Sequence, residues 1–293
     1  MSTILITGAT GGLGKAVVET LLKTVSPASL AVLARDPAKA ADLQAQGVAV
    51  RQGDYTDYDS LVAAFTGVDK LYFVATSSFT DRIAQHENVV KAAVAAKVGH
   101  VFYTSFQRKT EDHSSPIAFI EEAHLVTEKL LQSSGLTYTI LQHALYLDVF
   151  PPFFGPQVLE MGIIQLPASL GRGAYASRHD LALAGAAALL GTGHENQIYE
   201  LAADTTYSLA DLAQALSTAT GKPVSYVSPT PEEFIAQMTQ AGVPAEASQM
   251  IVALMAAVGQ GEFDSPNPML ATLLGRQPES PAAFFRATYA QQQ

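Results

Sequence analysis

Ile4-Leu5-Ile6-Thr7-Gly8-Ala9-Thr10-Gly11-Gly12-Leu13-Gly14 is an apolar run that breaks directly into a glycine turn. Lys15 to Lys23 follows with Ala16, Val17, Leu21 and Leu22 apolar, the spacing of an amphipathic helix. Strand, turn and helix in that order place the turn at a helix N-terminus. Backbone N–H groups left over there, with the positive end of the helix dipole, make an anion site suited to a pyrophosphate. Glycine is required chemically. A Cβ at Gly8 or Gly11 would block the tight turn or the approach of phosphate, and one at Gly14 would push the helix off the strand. Thr10, Gly12 and Leu13 complete the expected phosphate-facing loop.

The Gly-x-x-Gly-x-x-Gly spacing is one residue longer than the commoner dinucleotide fingerprint, so the flanking elements carry the argument. A second strand, Leu30-Ala31-Val32-Leu33-Ala34, ends at Arg35-Asp36-Pro37-Ala38-Lys39. Arg35 falls where the adenosine ribose of a dinucleotide would lie, and its forked guanidinium suits a 2′-phosphate. NADP (as NADPH) is therefore expected over NAD, with Lys39 as a second cation. The alternative is a solvated Arg35 beside a helix-capping Asp36.

The 293 residues, 48% of them hydrophobic, suffice for one large α/β domain with an appended lobe. With no cysteine, disulfides, thiolate catalysis and thiolate metal sites are excluded. The chain enters its first strand at Thr3, so no signal peptide is expected, and Leu181 to Leu190 is too short to span a membrane; a cytoplasmic protein is the expectation. The net charge of −10 is uneven: residues 1–144 carry 12 Lys and Arg against 14 Asp and Glu, and residues 145–293 carry 5 against 13. That balance argues against nucleic acid and anionic membrane as partners. A monomer or homodimer acting on a small molecule is expected. His113, His179 and His194 lack metal-ligand spacing, and no metal is expected.

Strand and helix signals alternate through the first half. Strands are read at Val48–Arg51, Lys70–Val74, His100–Thr104 and Tyr138–Leu141, and helices at Tyr58–Phe65, Asp81–Lys97 and Ile117–Ser133. The fold class is α/β, a Rossmann-like doubly wound parallel sheet with a smaller, mostly helical C-terminal substrate lobe. Residues 1–145 form the expected dinucleotide domain, with 177–204 returning to its sheet, and 146–293 form mainly the lobe. Ligands gather beyond the carboxyl ends of such strands. The expected rim runs from the glycine turn through Arg35, Asp54 with Tyr55, Ala75-Thr76-Ser77 and Ser105 to Gln142-His143. Tyr146, Phe150 and Phe153 begin the lobe and are candidates to stack on a flat aromatic substrate, with core packing as their alternative.

On Thr7–Gly14, Arg35–Lys39, Gly53-Asp54-Tyr55, Tyr103-Thr104-Ser105, Thr127–Leu131 and Tyr199–Ala202, nearly the whole chain resembles the atypical short-chain dehydrogenase/reductases of the NmrA-like group. Within it, type-2 NAD(P)H:quinone oxidoreductases and triarylmethane-dye reductases are most similar. The resemblance implies Asp54 near the adenine and Lys129 near the nicotinamide ribose. It also exposes a departure. Many short-chain dehydrogenases use Tyr-x-x-x-Lys on the helix after the fifth strand, whereas the residue four before Lys129 is Leu125, and His124 is read as lying off that face. Without a phenol to exchange protons, ordinary alcohol/ketone interconversion is disfavoured.

Quinone reduction escapes that requirement, because the product anion is a phenolate with a conjugate-acid pKa of about 10 that water can protonate. The expected activity is NADPH-dependent reduction of a quinone or similar conjugated aromatic acceptor. Lys129, His143 and Ser105 are the candidate catalytic residues, His143 as hydrogen-bond donor to the acceptor oxygen. A packed strand-end histidine and a capping serine are the alternatives for the latter two, and an exposed helix lysine paired with a nearby carboxylate is the alternative for Lys129. A non-catalytic NADP-binding regulator and a tailoring enzyme for aromatic polyketide quinones are the competing functions.

Overall fold

Strands whose two faces are both covered by helices read as unbroken apolar runs, and two of the strands here are buried at every position. The structure is a computed structural model that describes residues 3–76, 78 and 80–290. The strands are β1 (Ile4–Ile6), β2 (Leu30–Ala34), β3 (Ala49–Gln52), β4 (Lys70–Val74), β5 (His100–Phe106), β6 (Thr137–His143), β7 (Ile163–Gln165), β8 (Arg172–Gly173), β9 (Gln197–Leu201), β10 (Tyr207–Ser208) and β11 (Ser225–Val227). Seven form one sheet in the order β3-β2-β1-β4-β5-β6-β9, and the pairs from β3 through β6 are parallel. This is the expected Rossmann-like α/β fold. Strand order reverses beside β1, which puts a crevice over the carboxyl ends of β1 and β4.

Two compact units divide the chain. The first takes in the chain up to Phe106, Phe119–His143 and Arg178–Glu200; the second takes in Gln107–Ala118, Ala144–Ser177 and the chain from Leu201 on. In the first unit the helices α1 (Gly12–Leu21), α2 (Ala41–Ala45), α3 (Tyr58–Phe65), α4 (Arg82–Ala95), α5 (Ala118–Ser133) and, after α6 (Phe150–Phe154) and α7 (Val158–Met161) of the second unit, α8 (Arg178–Leu190) flank the sheet. Leu5, Ala31, Leu33, Leu71, Phe73, Val101, Tyr103 and Ile140 share one face and pack with Leu61 and Phe65 of α3, Val89 and Ala93 of α4, and Leu131 of α5. The intervening residues turn the other way. There α8 lies on Tyr72 at Gly185, where a Cβ would come within 2.9 Å of the ring carbon bearing the hydroxyl.

The second unit contains two small two-stranded sheets, β10 antiparallel to β8 and β11 parallel to β7. Its core is aromatic: Phe150 meets Tyr175 edge-on at 4.8 Å and Phe154 meets Phe285 at 5.8 Å. Segment 107–118, which the sequence reading left in the first domain, belongs to this unit. Buried Glu262 accepts hydrogen bonds from the backbone N–H groups of Lys109 and Thr110, both at 3.1 Å, and Gln107 donates to the Ser265 carbonyl at 2.8 Å. Polar ties of that range in sequence leave no periodic signal.

The glycine turn is as tight as its sequence demands. Gly8 has φ +62°, and the Gly11 N–H donates to the Gly8 carbonyl at 2.9 Å. A Cβ on Gly14 would collide with that same carbonyl and stand 2.9 Å from the Ala9 nitrogen. The expected clash of helix with strand is thus a clash of helix with the turn itself. Gly14→Ala is expected to cost about 1–3 kcal/mol by forcing backbone to move, a loss that urea unfolding will measure; an unchanged midpoint would mean the turn is looser than drawn.

Candidate functional site

A cavity of about 560 Å³ lies over the ends of β1, β2, β3 and β4, all within the first unit. Gly8, Thr10, Gly11, Gly12, Leu13 and Gly14 line one side. The residue before α1, Gly11, is extended and has no side chain to cap the helix. The first-turn N–H groups of α1 are therefore available to an anion. Exposed Arg35 lines the cavity at the end of β2. Asp36 accepts a hydrogen bond from the Ala38 N–H at 3.1 Å, so the capping role and the lining role fall to neighbouring residues rather than competing. Lys39 is exposed in the short 3₁₀ turn that follows and is not part of the lining.

Asp54 and Tyr55 also line the cavity, but both are already engaged. The Asp54 carboxylate accepts from the N–H and hydroxyl of Thr56, each at 2.9 Å, closing its own turn. The Tyr55 hydroxyl bridges the Val74 carbonyl at 2.8 Å and the Thr7 hydroxyl, and burial pushes this phenol well above its ordinary pKa. Tyr55 is a strut, not an acid. Ala75 and Thr76 line the β4 side, while Ser77 lies outside the described residues. Ser78 and Gln85 line it as well, and the sequence reading missed both. Their signal was positional: the loop after β4 and the first turn of α4 sit where the strand order reverses.

The register of α5 decides which of its polar residues are buried. Its inward stripe is Glu121, His124, Thr127, Glu128 and Leu131, whereas Lys129 is exposed and does not line the cavity. Lys129 falls about 100° round the helix from Glu128, enough to turn it outward. The i, i+4 pair facing inward is His124 and Glu128, so His124 lies on a different face from Lys129, off which the sequence places it. Glu128 accepts hydrogen bonds from the Ser105 hydroxyl and from Gln142 Nε2 at 3.2 Å. Arg82 donates to His124 Nε2 at 2.8 Å, which leaves Nδ1–H to donate to the Tyr103 oxygen at 2.8 Å. Ser105, donating to a carboxylate, is not an oxyanion donor in this arrangement.

His143 is fully buried at the end of β6, and burial pulls its pKa down to about 3, so the ring is neutral at pH 7. Phe150 is fully buried in the second unit's aromatic core rather than forming a ligand-facing wall. Tyr146 and Phe153 are half-buried in that unit. Among the described residues, no cluster of His, Asp and Glu could hold a metal ion.

Glycine turn, uncapped helix start and a cation at the second strand end form the kind of site that dinucleotide folds share, and sequence comparison identifies which lineage it comes from. A model of the NmrA-like family matches residues 1–277. The chain belongs to the NmrA-like family. It is 38% identical over 272 residues to Quinone oxidoreductase 2 of Escherichia coli (strain K12), covering 93% of each chain. The crystal structure of the NADPH-dependent quinone oxidoreductase of Escherichia coli complexed with NADPH superposes with a TM-score of 0.91 at 36% identity, over 98% of this chain and 100% of that one. Citrobacter sp. triphenylmethane reductase complexed with NADP(H) gives 0.90 at 35% identity, over 98% of this chain and 99% of that one.

His86, like His143, is fully buried, and burial with Arg82 beside it pulls its pKa down to about 3. Both folded-state values lie below the unfolded value of about 6.5, so the unfolded chain binds protons first as pH falls. Stability is full above pH 6.5 and declines toward pH 3. Each histidine is expected to withdraw on the order of 1–2 kcal/mol between pH 6.5 and 5. Urea midpoints at pH 7, 6 and 5 will follow the decline, and His143→Leu should flatten it; equal slopes would remove His143 as a contributor.

Proposed function

We propose that this protein is an NADPH-dependent reductase of quinones or similarly conjugated aromatic acceptors. The observation that carries the reading is the 560 Å³ cavity lined both by the bare N-terminus of α1 and by Arg35. The residues fit the cofactor. First-turn N–H groups of α1 would hold the pyrophosphate, and Arg35 would receive the 2′-phosphate through charge-assisted hydrogen bonds. Asp54 and Tyr55, fixed by Thr56 and by Val74, wall the adenine side without giving up their hydrogen bonds. When bound, NADPH supplies a hydride.

Acceptor chemistry follows from what α5 presents. No phenol faces inward there: His124 is held by Arg82, and Glu128 holds Ser105 and Gln142. Such a site favours acceptors whose reduced form needs no strong acid. A phenolate, of conjugate-acid pKa about 10, takes its proton from water. The relatives' names, a quinone oxidoreductase and a triphenylmethane reductase, support the same class of acceptor. Among the described residues no helix is long and apolar enough to cross a membrane, in keeping with an acceptor taken from solution. Lys129, on the outer side of α5, has no part in this reading.

Arg35→Ala tests it. Loss of the charge-assisted phosphate contact is expected to weaken NADPH binding by about 1.5–3 kcal/mol and to leave NADH nearly unchanged. NADPH oxidation by the wild type is expected with a naphthoquinone and with a cationic triarylmethane dye. Equal weakening of both cofactors, a preference for NADH, or no turnover of either acceptor class would each overturn the assignment.

A further inference from the structure

The strand end that walls the cavity does not stop at β4; it continues as a tongue held almost entirely by side chains. Val74 N–H donates to the Thr7 hydroxyl at 2.9 Å and Val74 C=O accepts from Tyr55 at 2.8 Å. Ala75 N–H donates to the Thr104 hydroxyl at 3.0 Å, and Thr76 N–H donates to His86 Nε2 at 3.1 Å. Of these partners His86 alone has a protonation pattern that decides whether it can serve. Because Thr76 offers an N–H, Nε2 must be bare and the ring proton must sit on Nδ1. Nδ1 lies 2.8 Å from the Thr127 hydroxyl, which in turn donates to the Ala123 carbonyl at 2.6 Å. The polarity is therefore fixed from both ends: main-chain donor at Thr76, ring, hydroxyl, main-chain acceptor at Ala123.

We infer that the relay Thr76 N–H, His86, Thr127, Ala123 C=O is a positioning device, in which α5 sets the height of the cavity's β4 wall through the tautomer of His86. This rests on the proposed function, in that the cavity wall is taken to contact NADPH. Thr127 and His86 are both fully buried and neither lines the cavity, so they act on a ligand only through Thr76. Around the ring stand Arg82 on its own helix, Tyr103 at 3.5 Å from Nδ1 on β5, and His124 on α5, whose ring centre is 6.3 Å away. Burial and the Arg82 charge disfavour a second ring proton, which would set two donors against each other at Thr76. Deleting the Thr127 hydroxyl removes the acceptor 2.8 Å from Nδ1 and leaves the Ala123 carbonyl, which also bonds His86, as the other group holding the proton there; a proton moved to Nε2 would break the contact with Thr76.

The test uses the full-length protein, ¹⁵N-labelled at histidine for the ring and uniformly for the backbone. Ring ¹H–¹⁵N correlations should show His86 as the Nδ1–H tautomer, with a hydrogen-bond coupling from the Thr76 amide into Nε2. In Thr127→Val that coupling should vanish and the Kd for NADPH should rise about tenfold, whereas Thr127→Ser, which keeps the hydroxyl, should bind close to wild type. An Nε2–H tautomer in the wild type overturns the inference without need of any variant, so a poorly folded Thr127→Val cannot rescue it. Thr127→Val that lowers the Tm but binds NADPH like the wild type also overturns it, reducing Thr127 to a packing residue. Failure of the wild type itself to bind NADPH would overturn the proposed function, and the inference with it, and is distinguished by appearing before any substitution is made.

Discussion

The Gly8 carbonyl stands against the α-carbon of Gly14, closer than any side-chain carbon would allow, and the nucleotide cavity is built outward from that approach. It draws the first turn of α1 over the end of β1. The helix start is then bare of side chains where an anion would meet it. The turn also sets Gly8 against Val74, two residues beyond the Ile6–Tyr72 pair at which β1 ends. Arg35 reaches the same cavity because β2 pairs with β1 in parallel and ends beside it.

The opposite wall obeys a different constraint, the need of buried polar groups for partners. From Val74 to Thr76 main-chain groups take side-chain partners, supplied by Thr7, Tyr55, Thr104 and His86. Each is buried or half-buried, and each belongs to a different part of the chain. Loss of one buried partner leaves a desolvated N–H or C=O that no water replaces.

The inner face of α5 extends the same logic toward chemistry. A carboxylate, Glu128, is buried beside the exposed Lys129, and its hydrogen bonds go to Ser105 and Gln142 at the ends of β5 and β6. The neutral rings of His86 and His143 and the committed phenol of Tyr55 add no acid of ordinary strength nearby. On the proposed reading, the scaffold orients and excludes, and leaves proton supply to water.

Local patterns in the sequence carried much of this architecture. Tyr58–Phe65 and Leu30–Ala34 occur with the bounds that periodicity assigns, because apolar spacing and turn residues act over a few positions. The glycine turn was legible for a covalent reason: positive φ at Gly8 and the missing Cβ at Gly14 are properties of the residues themselves. Arg35 followed from its place at a strand end. Tertiary structure alone decided which polar residues turn inward. Glu128 and Lys129 are adjacent and both charged, so hydropathy does not distinguish them; Ser105, 23 residues away, and Gln142 on the next strand do. The same holds for Phe150, whose burial depends on Tyr175, and for segment 107–118, tied down by Glu262 some 150 residues later. A side chain's partners across such separations are set by how the elements pack, and neither composition nor period encodes that packing.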